Sequence, residues 1–114
     1  MRVTADACEA AYDFLRAISP FKGWALPPGD DIEFHITRFD HVADCSIVPT
    51  EDGAIRIRIS EKCHEHLTTL LMSMAHEMIH VYLVRQGKPI SHNAEFMKIG
   101  RRLCRQFGWD AGQF

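Results

Sequence analysis

None of the four cysteines, Cys8, Cys45, Cys63 and Cys104, belongs to a C-x-x-C pair, which excludes a zinc ribbon and a dithiol redox motif. Isolated thiols of this kind read as small hydrophobes that the cytosol keeps reduced. No internal repeat, low-complexity tract or linker interrupts the chain, so residues 1–114 read as a single domain. An excess of either charge is missing too. Thirteen basic and 15 acidic residues leave a net charge of −2, so a nucleic-acid partner would have to be held by a local patch. The opening MRVTADACEA lacks the apolar centre of a signal peptide, and no uninterrupted stretch approaches transmembrane length. The expectation is a cytoplasmic protein with no membrane contact.

What the chain does have is histidine, seven in 114 residues, and a clear order of patterns. TADACEAAYDFLRAI, residues 4–18, spaces Cys8, Ala11, Phe14, Leu15 and Ile18 as one helical face, with Thr4 or Asp6 as its cap. After a Gly- and Pro-punctuated loop, DIEFHITRF alternates Ile32, Phe34 and Ile36 as a half-buried strand does. HVADCSIV is a candidate second strand. AIRIRIS puts Ile55, Ile57 and Ile59 on one side and Arg56 and Arg58 on the other. From about Glu61 to Gln86 the pattern is helical, and a last helix runs from about Asn93 to Phe107 before Gly108. The expected class is therefore α+β: an N-terminal helix, a small three-stranded and mostly antiparallel sheet, a long helix and a C-terminal helix.

On the long helix, Thr69, Ser73, His76 and His80 fall within about 60° of one another at 100° per residue. They form a narrow polar stripe opposite Leu67, Leu70, Leu71, Met74, Met78, Val81 and Tyr82. His76 and His80 are four apart, so their rings leave the helix one above the other and can aim two nitrogens at one ion, about 2.0–2.1 Å from each if it is zinc. Glu77 projects from an adjacent side, where a carboxylate can serve as base to a water on that ion. This is the chemistry that H-E-x-x-H combines. A catalytic zinc needs a third protein ligand and an open fourth position. His92 is the leading candidate, beyond a helix-ending Gly and a Pro, with Glu95 as its rival.

The segment HEMIHVYLVRQGKPISHNAEFMKIGRRL resembles the SprT-like zinc metallopeptidases, whose members include DNA-protein crosslink proteases of the Spartan type. The matching residues are His76, Glu77, His80, His92 and Phe96, and the likeness is strongest over residues 70–107. The resemblance implies a minimal zincin-like fold, one Zn2+ held by His76, His80 and His92, and peptide-bond hydrolysis through a zinc-bound water with Glu77 as general base. It also implies a protein or peptide substrate, with DNA as a further partner. AIRIRIS resembles the edge strand that such peptidases lay beside an extended substrate. The family usually has Gly directly after the third His; this chain has Asn93, which tolerates left-handed backbone better than most residues. The cysteine-rich ribbon of larger relatives has no counterpart, so specificity is expected to rest with the domain itself.

Other features carry less. Lys98, Arg101, Arg102 and Arg105 stand at helical spacing as a basic stripe able to hold phosphates, with Arg85, Lys88, Arg56 and Arg58 as candidate extensions. The plain alternative is a solvated helix face. Cys63, His64 and His66 read as the polar start of the long helix, with a second metal site as the alternative, His35 and His41 as surface residues, Tyr82 as packing, and Trp24 and Trp109 as core or lid aromatics with nucleic-acid stacking as the alternative. Against the peptidase stands a second reading, a zinc-containing DNA- or protein-binding domain without peptidase activity. The intact Glu77 weighs against it, because a structural site gains nothing from a base beside its metal.

Overall fold

The computed structural model describes residues 2–38, 46–49, 53–61 and 66–114, with only the main chain described at 46–49. Helix α1 spans Ala5–Arg16, and of its two candidate caps Thr4 is the one used, its hydroxyl accepting from Ala7 N at 3.0 Å. Cys8, Ala11, Tyr12 and Leu15 form its buried face. Two contacts tie the Pro-rich loop back to that helix: the Tyr12 hydroxyl donates to the Pro27 carbonyl at 2.7 Å, and Gly29 N donates to Asp13 Oδ1 at 2.9 Å.

Strands β1 (Ile32–Thr37), β2 (Ser46–Pro49) and β3 (Ile55–Ser60) form one sheet in the order β1-β3-β2. The expected mostly antiparallel sheet is instead mixed, because β1 pairs β3 in parallel over six residues and only β2 runs antiparallel to β3. The parallel register sets Ile32 beside Ile55, Phe34 beside Ile57 and Ile36 beside Ile59. A period of two then gives every apolar side chain in both strands the same face. Ile57 and Ile59 are fully buried there, each contributing roughly 1.5–3 kcal/mol of apolar transfer. On the other face Glu33 sits beside Arg56, and the two bond at 3.0 Å. The AIRIRIS strand is thus central and not an edge, and Arg56 is matched to a neighbouring carboxylate.

Helix α2 covers Leu67–Arg85, starting six residues later than the pattern from Glu61 suggested. Glu61 itself continues the sheet, its N–H bonding to the Thr37 carbonyl at 2.8 Å. By length and composition α2 is apolar enough to cross a membrane, contrary to the expectation that no stretch approaches that length. In the fold it is the core helix, packed by α1, by strands β2 and β3, and by helix α3 (Ala94–Phe107). Cys8 and Cys104 are buried free thiols, and burial pushes the Cys8 thiol up to about 11. Cys45, Cys63, His41 and His64 lie outside the described residues.

The chain reverses between α2 and α3 through a Schellman turn. Gly87 takes φ +80°, its N–H bonds to the Val84 carbonyl and Lys88 N bonds to the Leu83 carbonyl. Asn93 then caps α3, its Oδ1 accepting from Phe96 N at 3.1 Å. Replacing Asn93 by Ala should cost about 1 kcal/mol, and Ile57→Ala about 2–5 kcal/mol, in urea unfolding. An unchanged urea midpoint for Ile57→Ala would contradict its place at the centre of the core.

Candidate metal centre

The polar stripe of α2 does not face solvent. Neighbours surround the helix from Met74 to Leu83, so His80 is only 4% exposed and Glu77 only 3%. Thr69, Ser73 and His76 are half-buried along the same side. Into this side the returning segment brings His92. Its Nε2 lies 3.1 Å from His76 Nε2, and one ligand nitrogen from each of His76, His80 and His92 falls within 4.8 Å of the others.

Several local features hold the rings. Phe96, 2% exposed on the inner face of α3, lies 4.5 Å from the His80 ring in a stacked arrangement. Its distances to His76 and His92 are 4.7 and 4.8 Å. One apolar ring thus forms a floor for all three imidazoles. Lys88 Nζ bonds to both oxygens of Glu95, at 2.7 and 2.6 Å, across the segment that carries His92. Glu95, the rival third ligand, is therefore a clamp on the turn and does not join the cluster. Asn93 is extended, with φ −73° and ψ −176°; no left-handed residue follows His92, and capping is the work Asn does there. A cavity of about 110 Å³ opens beside His92, walled by Phe96, Met97, Gly100 and Phe114.

The donor set suits a metal ion on its own evidence. His80 Nδ1 is buried with no hydrogen-bond partner, a cost a protein does not normally leave uncompensated. Burial first, then the neighbouring His76 and His92, pull the His80 pKa down to about 4, so at neutral pH that ring carries no proton that must be displaced. Neutral imidazole is the form that binds metal, and it suits zinc, copper, iron and nickel.

The remaining predicted residues are scattered. Lys98, Arg101, Arg102 and Arg105 are exposed on α3, away from the buried Phe96 and Leu103, and Arg101 also borders the cavity beside His92. Lys88 is taken by Glu95, and Arg85 donates to the Ala25 carbonyl at 2.9 Å. Tyr82 stacks on Trp24 with centroids 4.1 Å apart, and Trp109 stacks on Phe107 at 4.6 Å. His35 is exposed beside Glu33. Two contributors gave no sequence signal. One is the Phe114 main-chain oxygen, which accepts from His76 Nδ1 at 2.8 Å; the other is Gly100, which leaves room for the Phe114 ring. Compared with protein-family models, curated proteins and solved structures, the chain matches none.

The lowered His80 pKa makes metal-free stability depend on pH. Between pH 6.5, its ordinary value, and about 4 the unfolded chain binds the proton and the folded chain does not. The contribution is full above pH 6.5 and is lost as pH falls toward 4, on the order of 3 kcal/mol in all. Urea unfolding of the metal-free protein at pH 7 and pH 4 should display this loss, and His80→Phe should flatten it. Equal pH slopes for the two proteins would remove His80 as the cause.

Proposed function

We propose that this chain is a zinc-dependent metallopeptidase of the SprT-like type with a minimal zincin-like fold. The observation that carries the reading is the convergence of His76, His80 and His92, two of them on the helix that also carries the buried Glu77. Three imidazoles are the ligand number of a catalytic zinc, which keeps a fourth position open. Zinc bound there supplies Lewis-acid polarisation of the scissile carbonyl and a water acidic enough to react near neutral pH. Glu77 accepts the proton of the attacking water and returns it to the departing amine nitrogen, a role that a single carboxylate can fill in both directions. His76, His80 and His92 hold the ion, Phe96 orients their rings, and the cavity beside His92 receives a side chain of the peptide. The substrate is a protein or peptide, in a cytoplasmic setting. The exposed basic stripe Lys98, Arg101, Arg102 and Arg105, next to Trp109, supports substrates carried on DNA.

The alternative, a zinc-containing DNA- or protein-binding domain without peptidase activity, predicts the same metal but no role for Glu77. Glu77→Gln should retain zinc within a few-fold and lose cleavage of an unfolded protein by about 10²–10⁴-fold, with or without single-stranded DNA. Wild type that holds zinc but cleaves nothing under either condition would favour the binding domain. Metal analysis adds a second test: His92→Ala should lose the ion and Glu95→Ala keep it. Zinc retained by His92→Ala would remove His92 from the ligand set.

A further inference from the structure

We propose that the segment Gly108–Phe114 is a positioning element of the metal centre, its Phe114 main-chain oxygen holding His76 as the Nδ1–H tautomer so that Nε2 faces His92 as the electron-pair donor. This rests on the metal-binding part of the reading above and not on peptidase activity. A main-chain oxygen only accepts hydrogen bonds, so at 2.8 Å the proton lies on His76 Nδ1. A neutral imidazole has one N–H. Its Nε2 is then bare, and that is the nitrogen 3.1 Å from His92 Nε2. The hydrogen bond chooses which nitrogen is the ligand and stops the ring from turning about its own axis, the way outer partners of ligating histidines act in metal sites.

Three anchors bring the Phe114 oxygen to this point. Gly108 ends α3 in a left-handed cap, with φ +72°, and Trp109 N bonds back to the Cys104 carbonyl at 3.0 Å. Asp110 closes the next turn, its Oδ1 accepting from Gly112 N at 2.9 Å and its carbonyl from Gln113 N at 3.0 Å. The Phe114 ring then lies across α3 at Gly100, where an added Cβ would come within 2.9 Å of Phe114 Cε1. From there the ring is 5.4 Å from His76 and 6.2 Å from both Phe96 and Trp109. A side chain at position 100 would force the ring from this place, which links Gly100 to His76 through Phe114. Phe114 and Gly100 also wall the cavity beside His92, which makes the segment part of the site's shape as well.

The test begins with the metal-free wild-type protein at pH 8. Long-range proton–nitrogen NMR of the imidazoles, with His76 assigned through His76→Gln, should find His76 in the Nδ1–H form. An Nε2–H form there would overturn the proposal without any further variant. Gly100→Ala and Phe114→Ala should give mixed tautomers at His76 and bind Zn2+ or Co2+ about 10–100-fold more weakly, with altered Co2+ absorption bands. Phe114→Leu should recover part of the affinity, and Lys22→Ala, at an exposed position outside the site, should match wild type in both tautomer and metal affinity. Folded Phe114→Ala protein with wild-type tautomer and wild-type affinity would also overturn the proposal. A wild-type protein in the Nδ1–H form that takes up neither metal would leave the hydrogen bond standing and remove the metal centre itself.

Discussion

Burying a glutamate and a histidine in the middle of a core helix is the constraint on which the rest of this structure depends. Helix α2 is enclosed by α1, by the sheet and by α3, so from Met74 to Leu83 every residue but His76 and Tyr82 is buried. An ordinary core helix would place hydrophobes at every such position. This one places His80 at 4% exposure and Glu77 at 3%. Desolvation keeps the His80 ring neutral, with its pKa lowered to about 4, and a neutral buried imidazole is a donor of electrons waiting for an acceptor. The enclosure that makes the residue expensive is also what makes it chemically useful.

The chain beyond α2 brings His92 and Phe96 back to that helix. The Schellman turn at Gly87 reverses the chain abruptly, the Lys88–Glu95 pair spans the turn, and Asn93 starts α3 directly after His92. These local devices fix where His92 falls, although the residue itself is exposed. Helix α3 contributes Phe96 as the floor beneath the three rings and, about three turns later, the αL cap from which the chain returns to His76. Four basic side chains on the same helix are exposed. One amphipathic helix thus serves the site with one side and solvent with the other.

The sheet plays a supporting part and departs most from expectation. Alternation in DIEFHITRF and AIRIRIS correctly separates an apolar from a polar face, but alternation carries no information about direction. Parallel pairing of β1 with β3 is compatible with that same pattern and has a physical reward, since the register aligns three apolar pairs and also sets Glu33 against Arg56. The consequence is that β3 is shielded on both sides, leaving β1 and β2 as the outer members among the described strands. The long helix starts later than its local pattern suggests for a related reason. Glu61 is drawn to the Thr37 carbonyl, a partner 24 positions away that no local window contains.

What the sequence by itself determined is whatever depends on neighbours along the chain: the periodicities of α1, β1, β3 and α3, a cap for α1 at Thr4 or Asp6, and the pair His76 and His80, whose rings share a helix face because they are four residues apart. What only the tertiary structure decided is whatever depends on chain reversal. His92 rather than Glu95 joins the pair because Lys88 occupies Glu95, and the partner of His76 is a main-chain oxygen of Phe114. Every residue possesses such an oxygen, so no side-chain identity marks this one out. Its role comes from the space above Gly100 and the turn at Asp110, which exist only once the helices have packed.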